Sequence, residues 1–87
     1  GWQNVVAALR DVHQTGAPVN DERAQEVIHA HREWLELHWK PTRESYVGLA
    51  DMYYDDERFR RNIGQGDDSL VAYLSDAMKV YAEANLD

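Results

Sequence analysis

Apolar residues recur along this chain with the 3.6-residue period of helices, and no stretch alternates with polar residues long enough to read as a strand. Trp2, Val5, Val6, Leu9, Val12 and His13 mark a first helix. Thr15-Gly16 and Pro18 stop it, because glycine accepts the left-handed conformation that follows a last turn. A second helix is predicted from about residue 21, where Asn20 or Asp21 accepts bonds from the free amides of the first turn and Glu22 suits its positive end. Its apolar stripe runs Val27, Ile28, His31, Trp34, Leu35, His38 and Trp39 and keeps to one face, with Glu26, Arg32, Glu33 and Glu36 falling elsewhere. Pro41 ends this helix, since it lacks an amide proton and forces Lys40 out of the helical region.

Thr42 then caps a third helix with Tyr46, Leu49, Ala50 and Tyr53 on one face, ending near Tyr54-Asp55, and Gly48 is expected to let a neighbour approach closely. Asp55 or Asp56 starts a short fourth helix that turns Phe59 and Ile63 inward before Gly64-Gln65-Gly66 breaks it. The last helix begins at Asp67 or Asp68. It buries Leu70, Tyr73, Leu74, Ala77, Met78 and Tyr81 and leaves Asp76, Lys79 and Glu83 to solvent. The expected fold is therefore all-α, a compact bundle of about five helices. With 87 residues there is room for one small domain, and three Trp and five Tyr supply the bulk for its single core.

Charge narrows the function. The formal charge is -7 and no Lys/Arg run exceeds Arg60-Arg61, so this surface repels a phosphate backbone and direct nucleic-acid binding is not expected. Cysteine is absent, which removes disulfides, thiolate metal sites and a thiol nucleophile and fits a cytoplasmic protein. No apolar run approaches the ~20 residues of a membrane span, so no membrane partner is expected. The chain opens with Gly1-Trp2 in place of Met and reads as residues 1–87 of something longer.

Two constellations invite chemistry. On the second helix, His31 and His38, seven residues apart, share a stripe with Trp34 and Trp39. They read as core histidines whose ring nitrogens bond internal partners, or as polar anchors in an aromatic-walled pocket. A metal site is disfavoured because His29 and His31 project about 200° apart on a helix, whereas a chelating pair needs three- or four-residue spacing. The second set is Tyr46, Met52, Tyr53, Tyr54, Tyr73, Met78 and Tyr81. Each buried phenol requires a hydrogen-bond partner, so a Tyr-rich interior is either wet or lines a cavity that a ligand fills. Ser45 and Ser69 lie in no nucleophile motif, and Gly64-Gln65-Gly66 lacks the Lys and Ser/Thr of a phosphate loop. No enzyme activity and no cofactor are expected.

His31-Arg32 with Trp34, then Trp39, Pro41-Thr42, Tyr46, Gly48-Leu49-Ala50, Met52-Tyr53, Asp56, Arg58-Phe59, Leu70, Tyr73-Leu74, Asp76-Ala77 and Tyr81-Ala82 together resemble the TipAS antibiotic-recognition domain over roughly residues 24 to 84. The resemblance implies a globin-like helical fold with a deep cleft, carried in the parent protein behind a MerR-type winged helix-turn-helix and a dimerising coiled coil. A drug in the cleft would order or reposition the domain, and the DNA-binding half would distort a promoter for RNA polymerase. Thiopeptide-binding members attach their ligand to a cysteine. Pro41 stands at the corresponding position here, so covalent capture is not expected. The loop from Ile63 to Asp68 also departs from the family's pattern.

The expected ligand is a hydrophobic small molecule, and the expected ligand-binding residues are His31, Trp34, Leu35, His38, Trp39, Tyr46, Leu49, Tyr53 and Tyr73. They would wall a cleft where the second and third helices face each other across Pro41. The alternatives are a helical interaction module whose aromatic groove takes a partner's helix, and haem ligation by His31 or His38.

Overall fold

The computed structural model describes residues 2–64 and 68–86, and these form five α-helices with no strand among them. Helix α1 spans Trp2–Gln14, α2 Glu22–Glu36, α3 Arg43–Asp55, α4 Glu57–Gly64 and α5 Asp68–Asn85. The start and stop signals act as their chemistry requires. Gly16 follows α1 at φ 79°, a conformation that costs a Cβ-bearing residue about 1 kcal/mol or more. Asp21 caps α2 by accepting from the Arg23 amide at 2.9 Å. Thr42 caps α3 in a reciprocal box, its side chain accepting from the Ser45 amide while Ser45 Oγ accepts from the Thr42 amide. Asp56 accepts from the Arg58 amide at 2.8 Å at the head of α4. The expected glycine break after α4 falls largely on residues 65–67, outside the described residues.

Two local expectations fail. Helix α2 stops at Glu36, well before Pro41, and the His38 and Trp39 amides both return to the Leu35 carbonyl in a tightened turn. Proline sets only an upper bound on the helix. With no basic residue in the last turn, and Glu33 and Glu36 near its negative end, nothing there favours another turn. His38 and Trp39 consequently leave the apolar stripe. Gly48 faces open space, with nothing within 4 Å of where its Cβ would sit, so it permits no close approach.

Helix α5 is the hub, packing most extensively on α3 and touching every other helix. It buries the predicted stripe and, in addition, Val71, Ser75 and Ala82, because neighbours cover it on more than one side. Helices α1 and α2 form the second large interface, whereas the backbones of α2 and α3 hardly approach each other. The space between those two is spanned by side chains. Arginines tie down two helix ends: Arg10 Nη2 donates to the Ile63 carbonyl in the last turn of α4, and Arg43 Nε to the Leu86 carbonyl just beyond α5.

Candidate functional site

Between α2 and α3 the large rings meet one another. His31 is fully buried, with Nδ1 2.7 Å from the Tyr46 hydroxyl and Nε2 3.4 Å from that of Tyr53. Trp2 reaches in from α1, its ring centroid 5.4 Å from His31, 5.3 Å from Tyr53 and 5.9 Å from Trp34. Phe59 of α4 packs against Tyr53 with tilted rings, centroids 4.9 Å apart. Burial, with no carboxylate to oppose it, pushes His31 down to about 4, so the ring is neutral near pH 7. A neutral imidazole has one donor and one acceptor nitrogen, so one phenol donates to it and the other accepts. Burial likewise raises both phenols, Tyr53 to about 12.

The remaining tyrosines have answers too. Tyr81 lies 2.7 Å from His29 Nδ1 and accepts from Arg32 at 3.4 Å, Tyr73 donates to the Pro18 carbonyl at 3.2 Å, and Tyr54 is exposed. The excess of Tyr over Phe thus reflects polar bridges between helices. Each buried phenol finds a protein partner, and no hollow is needed to explain them.

The structure divides the expected ligand residues into four groups. His31, Tyr46 and Tyr53 come together, with Leu35 in the same core and Leu49 packed partly buried against it. Trp34 sits at the margin, half-buried between Trp2 and the edge of His38. His38 and Trp39 stand in solvent past the end of α2, and Tyr73 joins the α1–α2 loop, its ring tilted against His13 with centroids 4.8 Å apart. Where the cleft is expected, His31, Tyr46, Tyr53 and Trp2 lie in contact with one another.

An apolar opening of about 520 Å³ lies one helix over, between α1 and α2. Its walls are Val5, Ala8 and Val12 from α1 and Val27, Ala30 and Trp34 from α2. Both triplets follow the same i, i+3, i+7 spacing, with an alanine at each centre. Ala8 and Ala30 are exposed, and their short side chains leave a groove open to the surface where α1 and α2 meet. Asn4, Asp11, Arg23 and Glu26 stand at the rim. The volume falls within the range of small-molecule sites, about 300–1,000 Å³. Of the residues expected from the sequence, Trp34 alone lines this groove. The signal that finds the others was present in the paired alanines, but which helices face each other is decided by the tertiary fold.

A second, more polar recess of about 440 Å³ lies between α2 and α5, lined by Glu22, Gln25, Glu26, His29, Tyr81 and Asn85. Among the described residues no group of three or more His, Asp or Glu side chains is placed to hold a metal. Both nitrogens of His31 already face phenols, which leaves no position for an axial ligand there. No described helix is long and apolar enough to cross a membrane.

Residues 1–81 match the TipAS antibiotic-recognition domain. The chain belongs to that family. Among its relatives are the HTH-type transcriptional activator TipA of Streptomyces coelicolor, 36% identical over 64 residues, and the HTH-type transcriptional activator mta of Bacillus subtilis, 26% identical over 88 residues. The first alignment covers 72% of this chain and 25% of TipA, the second 94% of this chain and 34% of mta. The chain therefore spans about a quarter to a third of these activators. No solved structure gives a significant match. A TipAS domain in transcription activators is a ligand-sensing regulatory unit, and the relatives are named as regulators, not enzymes.

Proposed function

We propose that this domain is the effector-sensing part of a MerR-type transcription activator, and that it binds a hydrophobic small molecule non-covalently in the α1–α2 groove. The observation that carries the reading is that Val5, Ala8 and Val12 of α1 and Val27, Ala30 and Trp34 of α2 line one open apolar groove at the same i, i+3, i+7 spacing. Apolar walls supply affinity and the few rim groups orient the guest. Without a cysteine, binding and release are reversible. In this reading DNA contact belongs to another domain of a homodimeric, cytoplasmic regulator that passes the signal to RNA polymerase at the promoter, and the acidic balance of this chain supports that division.

Because the groove is formed by two helices with a seven-residue connection, a guest touching both stiffens their packing. That gives the effector a preference for one arrangement of α1 over another, which is the minimum any ligand-driven switch requires. Tryptophan fluorescence titration with a panel of apolar drugs tests the site, since Trp34 lines it. Ala30→Leu fills the channel with three extra carbon atoms, and its affinity is expected to fall at least tenfold. Unchanged affinity in that variant removes the groove from the reading.

One observation favours a second reading. Leu37 and Trp39, 78% and 39% exposed, both lie in the α2–α3 connection, and exposed apolar side chains there suit a partner helix better than a drug. Retention of a partner domain by wild type and its loss in Leu37→Ser would support this alternative.

A further inference from the structure

The rim of the α1–α2 groove carries a charge pattern that its apolar walls do not explain. Asp11 from α1 and Glu26 from α2 both line it, both are exposed, and neither has an ion-pair partner among the described residues. The lining holds one cation, Arg23. Its guanidinium is already engaged, with Nε 3.2 Å from Asp21 Oδ1, and the same carboxylate takes the Arg23 amide. Counting Asp21, three carboxylates stand against one guanidinium. Glu26 also lines the neighbouring recess together with Glu22, so the potential on that side stays negative beyond the groove itself.

We propose that the effector class is the lipophilic cation: an apolar, multi-ring body carrying an amine, quaternary ammonium or phosphonium charge. The inference rests on the groove reading above. An apolar guest that covers the channel partly desolvates Asp11 and Glu26, and only a cation returns that loss as an ion pair. An anion of the same shape meets two unpaired carboxylates. The indole of Trp34 adds a surface on which a cationic centre is attracted to the ring face. The walls set affinity, and the two free carboxylates set the sign of charge.

The test uses two ions of nearly identical shape and opposite charge, tetraphenylphosphonium and tetraphenylborate, titrated calorimetrically into the domain. The wild type is expected to bind the phosphonium at least tenfold more tightly, and the preference is expected to shrink as ionic strength rises from 0.05 to 0.5 M. Asp11→Asn with Glu26→Gln, two exposed substitutions that circular dichroism should show to be folded, is expected to bring the two ions within about threefold of each other. A preference that survives in this double variant overturns the proposal. Equal binding of both ions by wild type, lost in Ala30→Leu, overturns the charge inference and leaves the groove standing. Binding that persists unchanged in Ala30→Leu, or binding of neither ion, overturns the groove and the inference together.

Discussion

The α2–α3 side and the α1–α2 side of this domain are built from opposite materials and end in opposite states. Between α2 and α3 the backbones stand apart, and His31, Tyr46, Tyr53 and the incoming Trp2 meet in the space between them. Between α1 and α2 the helices pack directly, yet the exposed Ala8 and Ala30 leave a groove open at the surface where they meet. Large rings do not imply a cavity, because they reach across a gap and close it. Small residues at matched positions do, since nothing at the flanks can reach in. A ligand site in a small helical domain is better sought where the side chains are missing than where they are abundant.

The ring cluster should behave as core. Tyr46→Ala, which removes a fully buried ring and strands His31, is expected to lose about 3–5 kcal/mol in urea unfolding. A loss under 1 kcal/mol would mean that the cluster is loose and that the contrast between the two sides fails. The second largest effect is in pH. His31 sits near 4 when folded against an ordinary value of 6.5, so the unfolded chain binds the extra proton first. Stability from this group is complete above 6.5, falls as pH drops through that value, and levels off near 4, a loss on the order of 3 kcal/mol. The difference between wild type and His31→Phe, followed across pH 4 to 7, isolates this contribution from the carboxylates. A flat difference would place His31 in contact with water.

Smaller effects sharpen the picture. Tyr46→Phe deletes the 2.7 Å bond to His31, and Tyr53→Phe the 3.4 Å one. The first is expected to cost about 1–2 kcal/mol and the second less than about 0.5, since a bond that long contributes little. Reversal of that order would show that Tyr53 holds the ring. Trp39→Ala, in the exposed connection, should change stability by less than about 0.5 kcal/mol.

Much of this was legible along the chain. The five helices follow from periodicity and caps, and residues such as Leu9, Ile28, Leu70, Leu74 and Met78 are buried as the stripes require. The family likeness was legible as well, carried by an ordered set of residues from His31 to Ala82. The end of α2 was not, because Pro41 forbids helix only locally and the shortfall depends on how the last turn tightens. Trp2 was the larger omission. Its place on the α1 stripe shows that it points inward, but not that it lands on His31 and Tyr53, contacts made across more than twenty-five residues. In the same way, residues 5, 8 and 12 and residues 27, 30 and 34 carry matching patterns that acquire meaning only once α1 and α2 are known to face each other.

The most direct test of the central claim is a methyl and aromatic NMR titration of the domain with tetraphenylphosphonium. Shifts concentrated on the methyl groups of Ala8, Val12, Val27 and Ala30, with Tyr46 and Tyr53 undisturbed, are the predicted result. Shifts concentrated on Trp2, His31, Tyr46 and Tyr53, with the two alanines silent, would mean that the ring cluster opens to admit the guest and would contradict the account.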